Sequence, residues 1–295
     1  MFQLVCKSSV FLCKTTINQL KVLFLAKKQT PMNKSLLCIF VFAVILFSAC
    51  SEKEVTTTED IIENEVNPAH ADFDLLHSDE KAIEIADKVM KSIGGRENWD
   101  NTKYLRWNFF GKRLHYWNKE TGDIRIEIPS SDAVILMNIN TLEGKVKLGD
   151  VEPTKADSLD KYLDLGKEMW VNDSYWMFMP FKLKDSGVTL KSRQKRTMLN
   201  NEYAYALELT FSGVGETPDN KYIIYVDTYD YKIRQWDFFP TPTMKDPVFS
   251  TTWDNYSQYG NIELADVRST DTLTDIAVFE ELSETVFTSF DKSAK

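Results

Sequence analysis

Four cysteines and three histidines limit the nucleophilic and metal-binding chemistry open to this chain of 295 residues. The cysteines are Cys6, Cys13, Cys38 and Cys50, so everything after residue 50 lacks both a disulfide and a thiolate metal site. His70, His77 and His115 show no His-Glu-x-x-His spacing, and no metal is expected. Ser-x-x-Lys recurs at Ser78–Lys81, Ser158–Lys161, Ser192–Lys195 and Ser289–Lys292, scattered over segments of unlike type, and so marks no nucleophile. There is no Gly-x-Ser-x-Gly elbow, P-loop or dinucleotide glycine fingerprint, and no cofactor is implied. His115, between Leu114 and Tyr116 on a predicted strand, has no partner visible in the sequence and reads as structural or outward-facing rather than as a catalytic base. Any of the 44 acidic residues could belong to a carboxylate pair, and nothing selects two of them. The chain reads as a non-enzyme; a hydrolase with an unrecognised acidic site stands as the second alternative.

The cysteine with a chemical context is Cys50. Met32-Asn33-Lys34 precedes twelve apolar residues, Leu36 to Phe47, too few to cross ~30 Å of hydrocarbon comfortably but the length of a signal-peptide core. The run ends Leu46-Phe47-Ser48-Ala49-Cys50, which resembles the lipobox of bacterial lipoproteins, with Phe47 in place of the usual leucine. That resemblance implies cleavage before Cys50, a diacylglycerol thioether on its sulfur and an acylated amine. Residues 1–31 are lysine-bearing and acid-free, and read as an upstream extension from a start codon called too early. Residues 32–49 are then the signal peptide, and 50–72 an acidic, Thr-rich tether.

Charge narrows the partners. With 35 Lys and Arg against 44 Asp and Glu, the net charge is −9, which excludes a nucleic-acid role. Loss of residues 1–49 removes six lysines and no acid, leaving 29 basic against 44 acidic residues, net −15. Attachment to a membrane must then come from acyl chains on Cys50 rather than from charge. The expected location is the outer membrane, lipid-anchored, with the periplasmic face favoured over the cell surface.

Residues 73–295 read as one domain. Ala82, Ile83, Ala86, Val89, Met90 and Ile93 recur at helical spacing, so 79–93 is a helix that ends at Gly94-Gly95. From Thr102 the period falls to two: strands are predicted around 105–109, 113–117, 124–128, 134–139 and 146–148. A second helix is predicted over 157–170, after which Tyr175–Phe181 is an apolar segment interrupted by Pro180. Strands resume at 188–190, 203–211, 221–227, 232–239, 249–253, 262–267 and 273–279. The fold class is therefore α+β: a curved antiparallel sheet of about ten strands, an open half-barrel, with two helices packed in its concave face.

The order helix, Gly-Gly, meander, mid-sheet helix, meander resembles the bacterial lipoprotein carrier and receptor (LolA/LolB-like) half-barrels. Ile93-Gly94-Gly95-Arg96-Glu97-Asn98-Trp99 and Tyr175-Trp176 through Pro180-Phe181-Lys182-Leu183-Lys184-Asp185 also resemble segments of uncharacterised Gram-negative outer-membrane lipoproteins with that fold. The likeness spans residues 79–281 and carries over no functional residue.

Aromatic residues make up 13% of the chain and supply the remaining lead. Trp107, Phe109, Trp170, Trp176, Phe178, Tyr205, Leu207, Leu209 and Phe211 are the candidate lining of an apolar cavity between sheet and helices. The expected function is a non-catalytic, lipid-anchored protein holding a hydrophobic ligand, either a lipid or the acyl chains of another lipoprotein. The first alternative is a surface glycan-binding lipoprotein using exposed aromatic platforms.

Overall fold

A computed structural model describes residues 66–215 and 218–291. The expected extension, signal peptide and lipidation site at Cys50, with most of the tether, lie outside the described residues. Residues 66–72, expected as the end of the tether, are instead packed on the body. Asn67 is buried and donates to Asp87 at 2.7 Å, and the His70 amide donates to the Lys184 carbonyl at 2.9 Å. All described residues fall in one compact unit.

The first helix, α1 (Glu80–Ser92), buries Ala82, Ile85, Ala86, Val89 and Met90 along one stripe. The Gly95 amide returns to the Met90 carbonyl, which closes the helix with Gly94 at φ +118°. A Cβ on Gly94 would lie 2.5 Å from the Asn261 carbonyl oxygen, so the position demands glycine for space as well as for φ. A short helix, α2 (Arg96–Asn101), follows where none was expected and delivers Trp99 to the core.

The single ten-stranded sheet is not what forms. Among the described residues, fourteen strands make three antiparallel sheets, open rather than closed. The first meander is β1 (Tyr104–Phe109), β2 (Arg113–Asn118), β3 (Asp123–Ile128), β4 (Ala133–Asn138) and β5 (Gly144–Leu148), joined at its β1 edge by β14 (Thr274–Phe279). The second sheet runs β6 (Val188–Thr197), β7 (Tyr203–Phe211), β8 (Lys221–Asp227), β9 (Ile233–Phe239) and β10 (Phe249–Thr252). The third contains β11 (Asp254–Tyr259), β12 (Ile262–Arg268) and β13 (Asp271–Thr272). The division has a local cause: α3 (Ala156–Phe178) separates β5 from β6, and Val188 finds its partner in Phe211 rather than in the first meander. The two main helices are also divided: α3 lies on β4 and β5, and α1 on β6.

Helix α3 runs eight residues beyond its expected end at Trp170, so Tyr175–Phe178 are helical and not a separate segment. Pro180 is harmless because it falls in the 3-10 turn Met179–Phe181, beyond the last residue whose N–H the helix needs. Strand β11 went unforeseen because Asp-Asn-Tyr-Ser-Gln-Tyr has no apolar alternation; pairing with β12 makes it a strand.

Two cores result. One lies between the first sheet and α3, around Trp107, Ile124, Ile135 and Phe178. The other lies between the second sheet and α1, around Ile85, Val89, Leu207, Leu209 and Trp236. Trp176 packs against both. Nor are the outer faces fully solvated, as a half-barrel would have it. Met198, Ala204, Ala206, Ile223, Tyr225 and Phe239 form an apolar cluster on the back of the second sheet. On the back of the first, the fully buried Arg125 donates to the carbonyls of Val286 (3.1 Å) and Ser289 (2.7 Å), pinning the C-terminal segment and its helix α4 (Thr285–Thr288).

Candidate apolar cleft beside the last turns of helix α3

The last two turns of α3 and the facing second sheet enclose a cleft of about 750 Å3. The helix contributes Trp170, Tyr175 and Trp176; the strands contribute Phe211, Tyr222, Trp236, Phe238 and Phe249. Alternation places these strand residues on one face, since Tyr222 stands opposite Phe238 and Phe238 opposite Phe249 in the ladder. Their rings interlock: Tyr222 stacks on Trp236 at 4.9 Å, Trp176 meets Trp236 edge-on at 4.7 Å, and Trp176 stacks with Phe249 at 5.9 Å. Phe249 stands 38% exposed beside the opening. His70, Glu168, Asn172, Lys182, Asp185 and Asn220 supply polar groups, with Lys182 and Asp185 paired at 2.9 Å. Burial drives the Tyr175 hydroxyl well above its ordinary range and pushes Tyr222 up to about 12, so both stay neutral. This is an apolar hollow with a polar border, of a size suited to a small ligand.

Of the nine expected lining residues, three face this cleft: Trp170, Trp176 and Phe211. Trp107, Phe109, Phe178, Leu207 and Leu209 are buried in the two cores, and Tyr205 stacks on Tyr231 at 6.0 Å away from the opening. Tyr175, Tyr222, Trp236, Phe238 and Phe249 were not anticipated. Their signal was the period-two run Tyr222, Ile224, Val226 and its facing partners Trp236 and Phe238, which shares a face with Phe211 once β7, β8 and β9 are paired.

A buried polar cluster backs the cleft's helical wall. Asp173, fully buried on α3, accepts from Arg113 Nε (2.5 Å) and Nη2 (2.8 Å), from His115 Nε2 (2.7 Å) and from Asn172 Nδ2 (2.9 Å). Arg113 and His115 project from the inner face of β2, opposite Phe109 and Trp107 in the ladder. The His115 ring stacks on Trp107 at 4.6 Å, and Arg113 sits over Phe109 at 4.9 Å. His115 is thus buried and inward-facing, not outward-facing, with the partner Asp173 that its neighbours in sequence did not reveal. Burial pulls its pKa below the ordinary value; the Asp173 carboxylate opposes this, but Arg113 already neutralises that charge. The Asp173 carboxyl is held below its ordinary range: desolvation acts to raise it, and the hydrogen bonds from Arg113 and His115 outweigh that.

At the helix end Arg268, buried without a carboxylate in hydrogen-bond reach, donates to the carbonyls of Trp176 (2.7 Å), Val267 (2.9 Å) and Ala265 (3.2 Å) and lies 3.4 Å above the Trp253 ring. Burial brings its pKa down to about 9, so it is still a cation at neutral pH, facing the negative end of the α3 dipole. Among the described residues no group of three His, Cys, Asp or Glu could hold a metal ion, and no helix is long and apolar enough to cross a membrane.

No family model matches the chain. No curated protein matches it either. Among solved structures, a DUF1329 family protein from Desulfovibrio piger ATCC 29098, determined at 1.75 Å resolution, is similar over 73% of this chain and 99% of its own, at 12% identity and a TM-score of 0.41. It is a weak likeness of fold and says nothing of a ligand.

Proposed function

We propose that this protein is a non-catalytic, lipid-anchored binding protein whose cleft holds the apolar part of an amphiphile, a lipid or a lipoprotein acyl chain. The observation that carries the reading is the aromatic cleft itself: eight ring side chains converge on one hollow whose polar groups can meet a head group. The lipobox-like end at Cys50 supports anchoring at the outer membrane, where such ligands are found. A glycan platform is less well supported, because none of the seven tryptophans is exposed. Native mass spectrometry with lipid extraction of the purified full chain tests the proposal, with Phe249→Asp and Phe238→Ala alongside, two cleft residues that lie outside both cores. One apolar ligand per chain, reduced in both variants while their unfolding midpoints hold, is the expected result. A chain that carries no lipid and takes up no fluorescent fatty acid overturns it. Cys50→Ser tests the anchor separately: it abolishes partitioning into detergent if Cys50 bears the acyl chains.

A further inference from the structure

Asp173 occupies a position that the helix pattern reserves for an apolar side chain. Leu159, Leu163, Gly166 and Trp170 mark the stripe that α3 lays on the first sheet, and Asp173 falls one step further along it. A buried carboxylate and imidazole joined to a partly buried guanidinium are a poor source of stability, since well-packed apolar residues of similar volume do as well or better. What the cluster has is directionality. The Arg113 fork meets both Asp173 oxygens while His115 meets one of them, an arrangement with one solution in helix rotation and translation. A stripe of large aromatic and aliphatic side chains can be satisfied by several rotations.

The cleft residues stand where that rotation matters most. Trp170 and Trp176 lie three residues before and three after Asp173, one turn away on either side, and both line the cleft. Their rings are buttressed by the same patch of the first sheet: Trp170 packs edge-on to Trp117 at 5.1 Å, and Trp176 edge-on to Phe109 at 6.3 Å, the ring under Arg113. We infer that Asp173, clamped by Arg113 and His115, is the positioning residue of the cleft, fixing the one rotation of α3 that presents Trp170 and Trp176 to the ligand. This rests on the reading of the cleft as a binding site for an apolar ligand.

The test separates position from stability. In the full chain, Arg113→Met, His115→Leu and Asp173→Leu are combined so that no charge is left buried alone, and Asp173→Asn is made singly. Binding of the fluorescent fatty acid cis-parinaric acid is titrated, urea midpoints are measured, and the chain is labelled with 5-fluorotryptophan for 19F NMR. The triple variant is expected to keep the wild-type midpoint, to bind at least 10-fold more weakly, and to show displaced or doubled signals for Trp170 and Trp176. Asp173→Asn, which keeps shape and loses charge, is expected to show the same displacement in weaker form. Wild-type affinity and an unmoved pair of signals in a stable triple variant overturn the inference. If the wild type binds no probe but the two signals still move, the binding proposal falls and the positioning role stands. If the triple variant fails to fold, unmoved signals and unchanged affinity in Asp173→Asn overturn it alone.

Discussion

His115 ties the stability of this protein to pH in a window that no other buried group among the described residues shares. The sign follows from its burial. In the unfolded chain an imidazole takes its proton near pH 6.5, whereas the folded site resists protonation because Arg113 already balances Asp173 in a dry environment. Between the lowered folded value and about 6.5 the unfolded state binds more protons, so stability falls as the solution is acidified. If the folded site takes no proton, going from about pH 7.5 to 5.5 costs about 1.4 kcal/mol, one unit of linkage. Asp173 contributes in a different range. Its depressed pKa stabilises the fold above the ordinary carboxylate value near 3.9 and that contribution disappears only as pH falls below it. The perturbation is His115→Gln, whose amide can still donate to Asp173 but does not titrate. Urea unfolding followed by tryptophan fluorescence at both pH values gives the comparison, and the exposed His70 and His77 are common to both chains. The wild type is expected to lose about 1 kcal/mol more than the variant on acidification. An equal loss in both refutes the assignment of the buried imidazole as the acid-sensitive group.

Three further outcomes follow from packing. Leu207→Asp buries an unpaired charge in the second core and is expected to unfold the chain in circular dichroism; Glu208→Lys breaks the ion pair with Arg193 and sets like charges across from Lys191, costing about 1 kcal/mol in urea titrations while the fold survives. Gly94→Ala combines positive φ with a clash against the Asn261 carbonyl and is expected to lose more than about 2 kcal/mol by the same titration. Gly166 lies where α3 crosses β4, with Ile135 and Met137 each 3.1 Å from a would-be Cβ; Gly166→Leu is expected to cost about 1–3 kcal/mol, whereas in Gly166→Ala the gain in helix propensity offsets the crowding and the midpoint barely moves.

How far the sequence discloses this molecule depends on the range of the interactions involved. Local periodicity is enough for α1, for the first five strands and for β7 to β9, because each buries a face that its own residues declare. Sheet partition is not local. Nothing in Val188–Thr197 says that its neighbour is Tyr203–Phe211 rather than β5, and nothing in Thr274–Phe279 names β1. The cleft was half legible for the same reason: Trp170, Trp176 and Phe211 advertise themselves, but Trp236 and Phe238 reach them only through pairing with β8. Asp173 was legible in principle. Continuing the α3 stripe past Trp170 lands on it, and an acid in an apolar stripe asks for a cation opposite; Pro180 drew the expected helix end too early.

Strand β14 places the two ends of the domain side by side. Tyr104 pairs with Phe279 and Leu105 with Val278, so the first of the described strands has its outer edge satisfied only by the last of them. Until residues 274–279 emerge, β1 presents a row of free backbone donors and acceptors beside Trp107 and Phe109, the kind of edge that recruits other chains. Closure of the first sheet therefore depends on residues far apart in sequence, and a chain truncated before Thr274 is expected to leave the β1 edge open to pairing with other chains.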